Sequence, residues 1–194
     1  QLNHGGTEMG QGLYVKVAQV VADTLGIGLE RVRITATRTD KVPNTSATAA
    51  SSGADLNGKA AEAAALTLRQ RLAEGAAPIL RVAANDIVFR DGALQGGGNV
   101  MPFAEAVHNA YIARVSLAAS GYYATPGIQF DRTTRKGSPF YYFAYGVAAT
   151  EVLVDCFTGE YRFTRADLLH DCGHSLNPAI DLGQVEGGYL QGLG

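Results

Sequence analysis

Hydrophobic residues recur every three or four positions near the start of the chain, which is the spacing of one face of an α-helix. Polar residues occupy most of the positions between them, and glycines, which commonly end helices, follow at 26 and 28. The pattern predicts a helix from about residue 13 to 25 whose apolar face is formed by Leu13, Val17, Val20, Val21 and Leu25.

Three further segments combine helix-forming residues with a start signal. Asp55 is a candidate N-cap before a run of strong helix formers. Pro102 and Pro178 suit the first turn of a helix, where a missing N–H is tolerated. These signals predict helices over residues 55–73, over residues 102–109 and from Asp181 onward.

Strand patterns lie between these helices. Polar–apolar alternation or β-branched and aromatic composition predicts strands near residues 31–35, 79–82, 87–90, 115–122, 140–154 and 161–170. Asp91-Gly92 and residues 155–159 supply turns for two hairpins, and residues 124–138 are expected to be an exposed loop. Helices and strands interleave without a strict βαβ rhythm, so we expect an α+β fold with a mixed β-sheet packed with helices, in one domain over residues 1–194.

Composition narrows the function classes. The net charge of −2 argues against a nucleic-acid surface, and no apolar run is long enough to span a bilayer. Cys156 and Cys172 are too few for a disulfide scaffold, and we expect them to be buried free thiols in a cytoplasmic protein. The chain starts inside a glycine-rich motif and stops inside a predicted helix, so we expect it to be part of a longer protein.

The glycine-rich motif, GGTEMGQG at residues 5–12, precedes the first predicted helix. The first N–H groups of a helix lack intrahelical partners, and the helix dipole favours an anion beside them. A phosphate-bearing ligand would fit this position, although the established P-loop and GxGxxG patterns are absent. A simple glycine-rich helix start remains the alternative.

Two other segments could contact a ligand. Residues 45–55 carry hydroxyl and small side chains before a helix start, which suits either a second anion cradle or ordinary capping by Ser52 and Asp55. Gln184 and Gln191 lie two helical turns apart, so their amides would share a face that suits a heterocycle edge, or tight helix packing. We find no metal-ligand spacing among the His, Cys, Asp and Glu residues and no catalytic carboxylate pair.

Several segments in order resemble the molybdenum hydroxylase family of xanthine dehydrogenases and aldehyde oxidases. The resemblance to the molybdenum-binding subunit covers essentially the whole chain. It is carried by HGGTEMGQG (4–12), PNTSATAASSGADLNG (43–58), SGYYATPG (120–127), FAYGVAATEVLVDCFTG (143–159) and SLNPAIDLGQVEGGYLQGLG (175–194).

The resemblance implies roles for particular residues. Gly10 and Gln11 would contact the phosphate of a molybdopterin cofactor, and Gln191, with Gln184 a weaker candidate, would contact the pterin edge. Ala49 and Ala50 would lie beside the metal and a bound purine. A second backbone cradle around the cofactor would comprise Ser51, Ser52, Gly53 and Ala54.

The resemblance also implies a reaction and partners. The family hydroxylates hypoxanthine and xanthine to urate with water as the oxygen source, and passes electrons to 2Fe-2S clusters and FAD on other domains or subunits of an oligomeric enzyme. The family's catalytic glutamate and substrate-binding arginine match no residue here, so we expect the isolated chain to be inactive. An aldehyde oxidase-type hydroxylase, a non-redox anion-binding module and a structural interaction domain are the alternatives.

Overall fold

The computed structural model describes residues 1–41, 45, 47–49 and 51–194. These residues form two compact units, the first comprising residues 1–124 and the second residues 125–194.

The first unit is organised around one long helix, α2, which comprises Gly53–Leu80. At 1.5 Å per residue its 28 residues extend about 42 Å. The predicted helix over 55–73 is therefore confirmed and is longer than expected. The strand predicted at 79–82 is wrong, because Leu72, Ala76 and Leu80 recur every fourth residue and continue the buried helix stripe. Pro78 lies within this last part of α2.

Helix α1 comprises Leu13–Leu25, as its periodicity predicts, and packs on the first half of α2. Leu13 and Val17 of α1 form a small core with Ala61 of α2. The helix ends at Gly26, whose φ of 63° lies in the left-handed region that glycine adopts without strain. A Cβ there would also lie 2.4 Å from the backbone of Phe89, so glycine is needed for close packing as well.

The second half of α2 is covered by a three-stranded antiparallel meander and helix α3. The strands are β1 (Val88–Arg90), β2 (Ala93–Gly96) and β3 (Asn99–Pro102), and α3 comprises Phe103–Ile112. Asp91 and Gly92, both at positive φ, form the predicted turn between β1 and β2. This half of α2 shares the larger core of the unit with Ile87, Phe89, Leu94, Met101, Ala106 and Ala110.

Two predicted strands of the first unit do not form. Around residues 31–35 the chain makes a short 3₁₀ helix, Leu29–Arg31, and then a single parallel bridge between Leu2 and Ile34. Residues 115–122 are irregular, because the carbonyls of Ser116 and Ala118 accept hydrogen bonds from Nη1 of Arg71 on α2 at 3.1 and 2.9 Å. A side chain of a helix thus takes the place of a neighbouring strand.

The second unit consists of hairpins and one helix. Strands β4 (Gln129–Asp131) and β5 (Lys136–Ser138) form a small hairpin inside the segment expected to be a loop. Strands β6 (Tyr145–Val154) and β7 (Tyr161–Asp171) form the long predicted hairpin, although β6 starts five residues later than expected. Helix α4 comprises Pro178–Leu193 and starts three residues before the predicted position, because the Asn177 side chain caps it by accepting from the N–H of Ile180.

Apolar side chains in the second unit remain uncovered. Every residue of β6 and β7 is exposed, including Val152 and Phe163, which pair across the ribbon. Cys156 and Cys172 are exposed too, so the prediction of buried thiols is wrong. A two-stranded ribbon gains little stability alone. The stability of the chain is therefore concentrated in the first unit.

Arg69 on α2 joins three parts of the first unit. Its Nη1 donates to the carbonyl oxygen of Thr24 at 3.1 Å, in the last turn of α1. Its guanidinium lies 4.9 Å from the centre of the Phe89 ring on β1. One side chain therefore connects α1, α2 and the meander.

Replacing Arg69 with alanine is expected to lower the free energy of unfolding of the first unit by about 2–4 kcal/mol. This sum combines a charge-assisted hydrogen bond with a cation–π contact. Urea unfolding followed by circular dichroism at 222 nm would measure the change. Arg38→Ala is the control, because Arg38 forms a surface ion pair with Asp40 and its loss should change the value by less than about 0.5 kcal/mol. Equal losses in both variants would contradict the role of Arg69.

Candidate functional site

The glycine-rich loop before α1 is folded around the carboxylate of Glu8. Oε1 of Glu8 accepts hydrogen bonds from the N–H groups of Gly10 and Gly12 at 2.9 and 3.0 Å, and Oε2 accepts from Tyr14 at 2.9 Å. Gly10 and Gly12 have φ values of 101° and 75°, which direct their amides inward. The anion that the sequence predicts at this helix start is therefore supplied by the chain itself.

The electrostatics of Glu8 match this geometry. Partial burial acts to raise the pKa of the Glu8 carboxyl, but the hydrogen bonds from Tyr14, Gly10 and Gly12, with a contribution from Met9, outweigh it and lower the pKa. Glu8 is thus an ionised carboxylate at neutral pH. Sequence reasoning missed it, although Glu8 is the one acidic residue between Gly5 and Ala22 and so was the available signal.

Gln11 closes the same loop with its side chain. Its Nε2 donates to the carbonyl oxygen of Thr7 at 2.8 Å, and its Oε1 accepts from the N–H of Met9 at 2.6 Å. The second hydrogen of Nε2 is not used by these two bonds. Gly10 has open space where a Cβ would stand. Both residues can therefore still face a ligand, and their predicted contacts with a cofactor stay predictions.

The loop before α1 lies against the segment before α2. The N–H of Thr7 donates to Oγ1 of Thr48 at 2.7 Å. Leu13, 1% exposed, lies beneath both segments: a Cβ added to Gly6 would be 2.5 Å from its Cδ2, and one added to Gly53 would be 3.4 Å from its Cδ1. The segments before α1 and α2, both of which the resemblance assigns to cofactor binding, thus contact each other in the first unit.

The start of α2 differs from the start of α1. Its N-cap residue is Ser52, not Asp55, which lies in the first turn. The Ser52 side chain makes no capping hydrogen bond. Gly53 and Ala54 then occupy the first two helical positions, where N–H groups have no intrahelical partner. The N-cap and the first two helical positions of α2 are small and uncharged, and the carboxylate of Asp55 follows in the same turn.

The other predicted site residues are placed as follows. Ser51 and Ala49 are exposed, and Ala50 lies outside the described residues. Gln184 and Gln191 are both exposed on α4, and their separation of seven residues puts them on one helix face, as predicted. Because α4 belongs to the second unit, its approach to the loops of the first unit stays a prediction.

A buried histidine lies behind the loop. His4 is 7% exposed, its Nδ1 accepts from the N–H of Gly6 at 3.1 Å, and its ring packs edge-on against Tyr14 with centroids 5.2 Å apart. Nε2 is buried and has no hydrogen-bond partner among the residues that the structure describes. Burial lowers the pKa of His4 and outweighs the neighbouring Asn57 and Glu8, which act to raise it. The ring is therefore neutral at neutral pH, with its proton on Nε2.

No group of three or more His, Cys, Asp and Glu side chains in the described residues is arranged to hold a metal ion. Within the same ranges, no helix combines the length and apolar character needed to cross a membrane. The polar groups around the loop before α1 and the start of α2 include main-chain amides, hydroxyls and the carboxylate of Glu8.

Comparison with known sequences gives a consistent result. A sequence profile described as the Molybdopterin cofactor-binding domain matches residues 1–194. The xanthine dehydrogenase/oxidase of Mus musculus is 46% identical over 193 residues, and the xanthine dehydrogenase of Oryza sativa subsp. japonica is 45% identical over 193 residues. In both cases the match covers 100% of this chain and 13% of the relative.

Solved structures show the same relationship. Quinoline 2-oxidoreductase from Pseudomonas putida 86 superposes with a TM-score of 0.79 at 30% identity, over 96% of this chain and 23% of that one. A CO dehydrogenase from Oligotropha carboxidovorans superposes with a TM-score of 0.78 at 25% identity, over 96% of this chain and 22% of that one. The expected α+β class is confirmed.

The state of His4 predicts a pH dependence of stability. A histidine with a lowered pKa in the folded chain binds fewer protons than in the unfolded chain, where its value is 6.5. Its contribution to stability is thus fully present above pH 6.5 and decreases as the pH falls through that value. Urea unfolding at about pH 7.5 and about pH 5.5 should show this decrease, and His4→Gln should reduce it.

The control for this prediction is His108→Gln, because His108 is exposed on α3. It should leave the difference between the two pH values as in the unaltered chain. The interpretation fails if His4→Gln and the unaltered chain lose the same stability on acidification.

Proposed function

The chain belongs to the molybdopterin cofactor-binding domain family, and on this basis we propose that the loops before α1 and α2 hold the anionic part of a molybdopterin in a xanthine dehydrogenase. Such a cofactor, when bound, supplies the molybdenum centre for hydroxylating hypoxanthine and xanthine to urate with water as the oxygen source. The chain spans 13% of the length of its xanthine dehydrogenase relatives. The activity of the complete enzyme is therefore part of this proposal.

The observation that carries the proposal is the difference between two neighbouring helix starts. Glu8 already occupies the amides of Gly10, Gly12 and Tyr14 at α1. The N-cap of α2 has no side-chain hydrogen bond to the helix. Helix N-termini bind anions through free N–H groups and the helix dipole, so a phosphate fits the start of α2.

Each residue near this start has a role in the proposed site. Gly53 and Ala54 would donate their N–H groups to the cofactor, and the hydroxyls of Ser51 and Ser52 would add hydrogen bonds. The small side chain of Ala49, which is exposed, would leave room for a flat ring. Ala50, proposed to lie beside the metal and the purine, has no structural description.

Four further residues would complete the cofactor contacts. Gly10 would approach the cofactor closely because it has no side chain, and Gln11 would donate through the remaining hydrogen of Nε2. Gln191, with Gln184 on the same face of α4, would hydrogen-bond the pterin edge. The site residues are thus positioning and binding groups, and the groups that act on substrate would come from outside residues 1–194.

Sequence identity favours a purine substrate. The xanthine dehydrogenase relatives are 42–46% identical to this chain, whereas the quinoline and CO enzymes are 30% and 25% identical. We further propose that 2Fe-2S clusters and FAD on other domains or subunits receive the electrons. The enzyme would be an oligomer in the cytoplasm. An aldehyde oxidase-type substrate is the alternative within this fold.

Ser52→Asp tests the proposed cradle in the full-length protein that carries this chain. Aspartate is as good an N-cap as serine, so the stability of α2 should be kept to within about 1 kcal/mol. Its carboxylate would occupy the amides of α2 and repel a phosphate. We therefore expect the purified variant to contain at least about tenfold less molybdenum and pterin, the loss that accompanies removal of a supporting interaction.

Ser52→Asn is the matched control, since asparagine caps a helix equally well without a charge. It should keep the cofactor content of the unaltered protein, measured by elemental analysis and pterin fluorescence. An Asp variant with full cofactor content would refute the cradle. An unaltered protein without molybdenum would instead favour a non-redox anion-binding module.

A further inference from the structure

The conformation of the loop before α1 depends on one charged side chain. Between Gly5 and Tyr14, Glu8 is the single charged residue. Its two carboxylate oxygens accept hydrogen bonds from three main-chain N–H groups, at the turn residue Gly10 and at Gly12 and Tyr14 after it. Without this carboxylate, three amides at a helix start would lose their acceptor, and such unsatisfied donors are costly.

The loop held by Glu8 is joined to the proposed cofactor cradle. Thr7, immediately before Glu8, donates to Thr48 in the segment that leads to α2. Gly6 lies against Leu13 and the side-chain amide of Asn57, and Asn57 in turn donates to the carbonyl oxygen of Gly53 at 2.9 Å. A change in the Glu8 loop would therefore shift the start of α2.

Glu8 also decides which helix start is open to an external anion. The helix dipoles of α1 and α2 both favour negative charge at their N-termini. At α1 that charge is internal and hydrogen-bonded, so a phosphate would have to displace a carboxylate there. At α2 the N-cap side chain makes no capping hydrogen bond, and the first-turn carboxylate of this helix is Asp55.

We propose that Glu8 is a positioning residue of the cofactor site: its carboxylate occupies the start of α1, directs the anionic cofactor to the start of α2, and holds Gly10 and Gln11 where they face it. This inference rests on the proposed function. Glu8 itself touches neither cofactor nor substrate in this arrangement. It acts through the backbone that it orders.

The test compares the rate of cofactor release from folded, loaded full-length protein. Glu8→Ala should release pterin and molybdenum about tenfold faster than the unaltered protein, the scale expected for loss of a supporting interaction. Glu8→Gln should be intermediate. Its amide oxygen can still accept from Gly10 and Gly12, but its NH₂ group would face the N–H of Tyr14. Release is measured as molybdenum and pterin fluorescence in the filtrate over time.

Arg69→Ala is the control for destabilisation alone, because it weakens the same unit without touching the loop. It should lower the melting temperature but leave the release rate of the folded protein unchanged. If Glu8→Ala and Arg69→Ala accelerate cofactor release equally, Glu8 has only a general structural role and the inference is overturned. If Glu8→Ala does not fold, the release rate of Glu8→Gln is compared with that of Arg69→Ala instead, and the same criterion applies.

The outcomes separate this inference from the proposed function. A loaded unaltered protein whose Glu8 variants release cofactor at the unaltered rate would contradict the positioning role alone. An unaltered protein that contains neither molybdenum nor pterin would overturn the proposed function and this inference with it.

Discussion

The packing of Leu13 between two glycines is the constraint on which the candidate site depends. Leu13 is the first residue of α1 and is 1% exposed. Its Cδ atoms fill the space beside Gly6 and Gly53, so that a Cβ on Gly6 would collide with it at 2.5 Å. Burying this one side chain brings the segment before α1 and the first turn of α2 together. The small residues around it therefore reflect close packing as much as ligand binding.

Charge is distributed unequally over the two helix starts that this packing brings together. At α1 the carboxylate of Glu8 accepts hydrogen bonds from main-chain amides at the start of the helix. These bonds lower the pKa of Glu8, because they outweigh the effect of its partial burial. His4 lies behind the same loop and is kept neutral because burial lowers its pKa. At α2 the N-cap is an uncharged serine. The N-cap side chain of α2 does not bind the first amides of the helix, and Asp55 is the carboxylate in its first turn, whereas the amides of the loop before α1 are bound by Glu8.

The sequence predicts those parts of the fold in which local pattern and packing agree. The apolar face of α1, the Asp91-Gly92 turn and the β6–β7 hairpin all follow from spacing and turn chemistry. The local sequence of residues 79–82 is typical of a strand, but Leu80 and Ala76 are buried on the same face of helix α2. For residues 115–122 the decisive contact is with Arg71, which is distant in sequence. Such long-range partners leave no local signal.

The candidate site was predictable to a similar degree. The glycine-rich motif indicates an anion at α1, but local pattern does not say whether that anion is a ligand or a side chain of the chain itself. The structure supplies Glu8. Family resemblance supplied the residues Ser51–Ala54, and their contacts with a cofactor stay a prediction.

Amide hydrogen exchange in the full-length protein, with and without its cofactor, tests this division of the two helix starts most directly. Peptides that include Gly53 and Ala54 should exchange about tenfold or more slowly only when the cofactor is bound, because a ligand then accepts their N–H groups. Peptides covering Gly10–Tyr14 should be protected in both states, because Glu8 is always present. Unchanged exchange at Gly53 and Ala54, with new protection confined to Gly10–Tyr14, would contradict the assignment.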